Sequence, residues 1–230
     1  LPGLRVAGID CHIGSQITQV EPYLDAAERV LDIVAAVEAA GIALQHIDFG
    51  GGLGITYTDE TPPAADLLVR RLLERVDARG YGGREILFEP GRSLVGNAGV
   101  LLTEVQYLKP GDAKNFCIVD AAMNDLMRPA MYEAWMAIEP CALRAEPAAT
   151  WDVVGPVCES GDWLGRDRRF AAAPGDMLAV LSAGAYGMAM ASNYNTRPRA
   201  AELMLDGERV HVIRERETAR ELFARERLIG

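Results

Sequence analysis

The sequence predicts an α/β unit followed by a mostly antiparallel β unit, with the change of texture near residue 93. Two observations carry this. Through the first hundred residues, short apolar strand-like runs alternate with amphipathic helical runs, and each run ends in a polar or glycine-rich turn at intervals of just under forty residues. Beyond residue 93 the segments become short and β-rich, separated by Gly, Pro and Asp turns. Half of the 230 residues are hydrophobic, enough for one large core or two small ones.

Residues 4–11 read as the first strand. The helix after it is expected to open on a capping box, Thr18 with Glu21, to bury Val20, Leu24, Ala27, Leu31, Val34 and Val37, and to close at Gly41. Residues 44–49 form the second strand. Pro62 and Pro63 introduce a second helix that turns Ala65, Leu68, Leu72 and Val76 inward and stops at Gly80. Residues 85–88 form the third strand.

The β-rich part offers strands over 98–108, 115–120, 151–157, 176–181, 201–205 and 209–213. An apolar run at 184–191 reads as helical, as does a charged segment at 217–228. Three βα-type strands cannot close a barrel, and their apolar faces and open edges need covering. Either the chain is part of a larger protein or another chain completes the sheet.

Composition narrows the function. A net charge of −10 with no basic block argues against nucleic acid as a partner. No apolar run is long enough for a membrane span, and the first residues do not read as a signal peptide. Cys11, Cys117, Cys141 and Cys158 lack metal-ligand or disulfide spacing, which points to no metal site and to a reducing cytoplasm. Cys11 and His12, as neighbours on a strand, point to opposite faces.

The candidate site residues gather where strands end. Gly50-Gly51-Gly52 suits either a turn needing positive φ or a set of backbone donors for one phosphate; the glycines of a dinucleotide fingerprint are absent. His12 and Ser15 flank the preceding turn, as a stacking residue and a phosphate ligand or as ordinary turn residues. Glu89 and Arg92 bracket Pro90-Gly91, either as a surface ion pair or as a carboxylate for a cationic ring nitrogen and a guanidinium for an anion. Arg128 and Tyr132 lie four apart around a helical turn begun at Pro129, so they can share a face and grip a carboxylate. Tyr186 sits among small residues, either packed or aimed at a phosphate. Cys158 is followed by Glu159-Ser160-Gly161-Asp162, the composition of a loop rather than a buried strand.

In this order, His12-Ile13-Gly14-Ser15, the triple glycine, Glu89-Pro90-Gly91-Arg92, Arg128-Pro129-x-x-Tyr132 and Cys158-Glu159-Ser160-Gly161-Asp162 resemble the diaminopimelate decarboxylase family. These pyridoxal-phosphate enzymes pair an alanine-racemase-like barrel with a β domain. The resemblance implies that residues 1–93 are the C-terminal part of a (β/α)8 barrel, about three βα units, and that residues 94–230 are the β domain with substrate-binding and dimer-interface loops. It implies pyridoxal 5′-phosphate as cofactor, with His12 stacked on its ring, Glu89 at its pyridine nitrogen, and Ser15, Gly51, Gly52, Gly91 and Tyr186 holding its phosphate. Arg92, Arg128, Tyr132 and Glu159 would read meso-diaminopimelate, whose far end carries both an ammonium and a carboxylate. Arg92 also counts with the cofactor contacts and Tyr186 with the substrate contacts. Cys158 would reprotonate the α-carbon in the partner subunit's site, which implies a homodimer with shared active sites.

One departure matters. The family's Schiff-base lysine lies at an early barrel strand, whereas the two lysines here, Lys109 and Lys114, both follow Glu89-Pro90-Gly91-Arg92. The expectation is therefore that five βα units precede this segment in the parent enzyme, and that the segment alone is inactive. The alternatives are a decarboxylase of another basic amino acid, a non-catalytic relative that only dimerises, and a racemase.

Overall fold

Three short apolar runs pair in parallel to make the first sheet, and the reason is the isoleucine at the centre of each. A computed structural model describes residues 2–230 in two units, one ending at Gly96 and the other spanning Asn97–Gly230. In the first unit, β1 (Gly8–Asp10), β2 (His46–Asp48) and β3 (Glu85–Leu87) lie in the order β1-β2-β3, with Ile9, Ile47 and Ile86 in register. Those side chains join a core made by α1 (Glu21–Ala39) and α2 (Ala65–Ala78), which contribute Leu24, Leu31, Val34, Leu68, Leu72 and Val76. The opposite sheet face carries His46, Glu85, Asp10, Asp48 and Leu87. Gly8 is needed on that face because a Cβ there would fall 2.0 Å from His46 Nε2.

The strands are shorter than the sequence suggests. Their extended runs continue past the ladder, as in the bonds from Cys11 N–H to Asp48 O and from Phe49 N–H to Leu87 O, both 3.1 Å. The expected capping box is not formed. Helix α1 begins at Glu21 with Val20 as an N-cap that makes no side-chain bond. The cause is upstream: Ile17 pairs with Leu53 in a parallel bridge, which keeps that stretch extended. Ala65 is exposed rather than inward, since it is the first residue of α2 and precedes the buried stripe. Both helices stop where expected, at Gly41 (φ +85°) and Gly80 (φ +81°), each followed by a backbone bond to the last turn. A short α3 (Arg92–Val95) follows β3.

The second unit contains, in chain order, β4 (Leu101–Lys109), β5 (Phe116–Val119), α4 (Met127–Tyr132), β6 (Ile138–Pro140), β7 (Ala149–Val154), β8 (Trp163–Phe170), β9 (Met177–Val180), α5 (Gly187–Met190), β10 (Glu202–Asp206), β11 (Arg209–Arg214) and α6 (Ala219–Leu222). Six strands form one sheet in the order β6-β9-β4-β5-β7-β8, antiparallel except for the β5–β7 pair. The sheet curls until its edges meet, for a Cβ on Gly165 of β8 would lie 2.8 Å from Ile138 Cδ1 of β6. Val105, Val119, Leu126, Met136, Val153, Leu164, Leu178 and Val180 fill the enclosed core. A separate hairpin, β10–β11, turns at Gly207 (φ +59°).

Two of these strands are not evident from pattern. β6 is a three-residue edge ending in proline, and β8 reads as charged because Arg168 occupies an inward position beside a left-handed Asp167 (φ +55°). The terminal helix is four residues rather than twelve, since 217–228 offers no apolar stripe to bury; it is held by a capping box between Thr218 and Glu221. The run at 184–191 is helical only over α5. Among the described residues, no helix is long and apolar enough to cross a membrane.

Leu31 is fully buried in the first core, whereas Ile33 on the same helix is 51% exposed. Leu31→Ala is expected to cost about 2–5 kcal/mol, and Ile33→Ala less than about 0.5 kcal/mol, measured as shifts in the urea midpoint at constant slope.

Candidate functional site

In the first unit the loops after β1, β2 and β3 meet through their backbones, and the triple glycine lets them. A Cβ on Gly50 (φ +68°) would lie 2.5 Å from Cys11 O, one on Gly51 2.0 Å from Glu89 O, and one on Gly52 (φ +97°) 2.1 Å from Gly14 O. The middle loop is thus interleaved with both neighbours. Its amides are partly committed: Gly50 N–H donates to Asp48 Oδ1 at 2.8 Å and Gly51 N–H to His12 Nδ1 at 3.3 Å. That second bond fixes the tautomer of a neutral His12 ring, with the proton on Nε2. Glu89 N–H returns to Gly50 O at 2.8 Å.

Arg92 is the keystone of this rim. It is buried, its Nη2 donates to Ser15 Oγ at 3.0 Å, and its Nη1 donates to the Tyr57 hydroxyl. The guanidinium also lies 5.8 Å from the Tyr57 ring centre. These bonds hold the guanidinium inward, toward Ser15 and Tyr57. Tyr57 sits in a loop held by Glu60, whose carboxylate accepts the N–H groups of Tyr57 and Thr58; these backbone donors, led by Thr58, hold its pKa down to about 2. Across the same strand ends, carboxylate oxygens of Asp10, Asp48 and Glu89 lie within 4.8 Å of one another. Cys11 and His12 lie just past β1, not within it, with Cys11 packed against the core and His12 exposed.

The second unit holds the remaining candidates. Cys158 and Glu159 are exposed on the loop between β7 and β8, and that loop is organised by Asp162. Asp162 is only 4% exposed. Its Oδ2 accepts Val157 N–H and its Oδ1 accepts Met123 N–H, both at 2.7 Å. Gly155 packs against the same carboxylate, leaving no room for a Cβ. One buried side chain therefore ties the Cys158 loop to the segment that leads into α4. Glu159 accepts Gly161 N–H at 3.1 Å and the Tyr194 hydroxyl at 3.3 Å, and that bond pushes the Tyr194 phenol up.

Arg128 and Tyr132 differ in burial. Arg128 is buried and donates from Nη1 to Ala185 O at 3.1 Å, while Tyr132 is 58% exposed at the last turn of α4. The carbonyl before Tyr186 draws the arginine in. Tyr186 itself caps the start of α5, half-buried. Lys114 is engaged with Asp152 at 2.7 Å.

The structure thus brings His12, Ser15, Gly51, Gly52, Glu89, Gly91 and Arg92 together on one rim, and Arg128 together with the Tyr186 segment. Sequence reasoning missed Tyr57 and Tyr194, which carry no motif. It also gave Asp162 no role, although a carboxylate closing a Gly-turn is a readable signal.

Comparison with known proteins gives a family model, "Pyridoxal-dependent decarboxylase, C-terminal sheet domain", that matches residues 12–184. The diaminopimelate decarboxylase of Pseudomonas aeruginosa is 55% identical over all of this chain and 54% of its own length, and that of Vibrio cholerae is 51% identical over the same shares. The chain spans about half the length of the curated relatives it matches. Among solved structures, diaminopimelate decarboxylase from M. jannaschii is 38% identical with a TM-score of 0.91, covering 97% of this chain and 52% of that one. The Helicobacter pylori enzyme complexed with L-lysine is 38% identical with a TM-score of 0.89, covering 98% and 55%.

Asparagine at position 162 offers one acceptor oxygen for two amides. Asp162→Asn is expected to cost about 1–3 kcal/mol and to speed amide exchange selectively at Val157 and Met123. Unchanged exchange at both amides would remove Asp162 from its organising role.

Proposed function

This chain belongs to the pyridoxal-dependent decarboxylases, and from that membership we propose that it is the C-terminal portion of an enzyme that converts meso-2,6-diaminopimelate to L-lysine and carbon dioxide. The observation that carries the reading is the 55% identity to a diaminopimelate decarboxylase across the whole chain. In this reading, residues 1–93 are the last part of a cofactor-binding (β/α)8 barrel, and residues 94–230 are the β domain with the substrate and dimer loops.

The rim of the first unit suits pyridoxal 5′-phosphate by its donor set. Arg92 and the Ser15 hydroxyl give it a cationic, donating side, and Asp10, Asp48 and Glu89 give it an anionic one. A ring with a phosphate on one side and a protonated nitrogen on the other matches that polarity. When bound, the cofactor supplies an electron sink for the pair left at the α-carbon as carbon dioxide departs. Glu89 would keep the ring nitrogen protonated and His12 would stack on the ring. Ser15, Gly51, Gly52, Gly91 and Tyr186 would hold its phosphate.

Arg92, Arg128, Tyr132 and Glu159 bind the substrate, with the opposite charges of Arg and Glu reading the amino-acid head group at its far end. The Cys158 Sγ–H gives its proton to the α-carbon, replacing the bond to the departed carboxylate. Exposure of the Cys158–Glu159 loop supports its delivery into a partner subunit's site, in a homodimer. All four cysteines are free, which suits a cytoplasmic setting.

The test is carbon dioxide release and L-lysine formation from meso-diaminopimelate by the full-length protein that carries this sequence. Cys158→Ala is expected to lower turnover about 10²–10⁴-fold, the usual contribution of a positioned proton donor, with cofactor absorbance retained. Wild-type turnover by that variant would reject the role of Cys158, and no release by the unmutated protein would reject the reaction.

A further inference from the structure

β8 and the end of α4 line a cavity of about 220 Å³ that contains none of the residues given above to cofactor or substrate. Two guanidiniums lie over two indoles there: Arg166 at 4.0 Å from the Trp163 ring centre and Arg168 at 4.4 Å from that of Trp135. Arg168 is 9% exposed, and its Nε is buried with no acceptor. Among the described residues neither arginine makes an ion pair. Glu133 lines the cavity, and Asp167 is the neighbouring acid whose field reaches Arg168; both stay outside pairing distance.

The arrangement is built rather than incidental. A Cβ on Gly165 would lie 2.6 Å from Arg168 Nε, so the strand leaves out a side chain where the arginine crosses it. Desolvation pushes the guanidinium's pKa down, and the field of Asp167 offsets this only in part. A buried cation without a paired carboxylate is costly, and a guanidinium stacked on an aromatic face keeps its in-plane N–H groups for a planar acceptor. The whole chain has an excess of ten negative charges, yet neither acid beside the cavity, Glu133 or Asp167, pairs with these arginines.

We propose that this cavity binds a small free carboxylate, its anionic end taken by Arg168 and Arg166 and its apolar body laid between Trp135 and Trp163. The inference does not depend on the decarboxylase reading. Two of the three tryptophans in the chain line the cavity, so binding reports itself. Titrating the purified protein with sodium glutarate, against sodium chloride at matched ionic strength, is expected to give a saturable change in tryptophan fluorescence. Arg168→Met is expected to abolish it, and Arg166→Gln, an exposed site that spares the fold, to weaken apparent affinity at least about tenfold, the equivalent of one lost charged contact. An equal response to chloride, no saturable change, or an Arg166→Gln titration matching the wild type would overturn the proposal. Sedimentation showing concentration-dependent self-association that Arg166→Gln abolishes, with glutarate silent, would overturn it in favour of a carboxylate from a second copy.

Discussion

Everything on the first rim depends on one steric fact: three strand-end loops meet at backbone distance because the middle one has no side chains. Gly50, Gly51 and Gly52 each face a carbonyl oxygen at 2.5 Å or less from where a Cβ would be. That contact sets the spacing of β1, β2 and β3 at the ends where these loops begin. A hydrophobic core fixes only that the sheet packs on α1 and α2; the glycines fix how the loops converge.

The second unit solves the same problem with a charge. Its Cys158 loop has no glycine triplet to interleave, and instead closes around the buried Asp162 carboxylate, which accepts one amide from each of two segments. A buried carboxylate that is fully hydrogen-bonded is a directional constraint, unlike an apolar contact. Arg128 acts similarly, spending one nitrogen on the Ala185 carbonyl so that α4 and the Tyr186 segment are tied together. His12, Cys158 and Glu159 are exposed, while Arg92, Arg128 and Asp162 are buried.

Much of this was legible in the chain. Helices α1 and α2 follow from their apolar stripes and the glycines at 41 and 80, and the meeting of the three strand-end loops follows from the glycine-rich turns. What escaped did so for physical reasons. The capping box at Thr18 was overruled by a tertiary bridge between Ile17 and Leu53, which no local pattern encodes. Strand β8 hid because Arg168 occupies an inward position, where alternation calls for an apolar residue. Arg128 and Tyr132 have the right spacing to share a face, but the bond from Arg128 to a carbonyl 57 residues away is not readable from spacing.

The functional reading places the cofactor's covalent anchor outside these 230 residues, because both lysines lie in the second unit and Lys114 is committed to Asp152. Borohydride reduction of the full-length protein with pyridoxal phosphate, followed by peptide mass mapping, tests this most directly. A single pyridoxyl group on a lysine other than Lys109 and Lys114 is the predicted result. A pyridoxyl group on either of those two, or none on the protein at all, would contradict it.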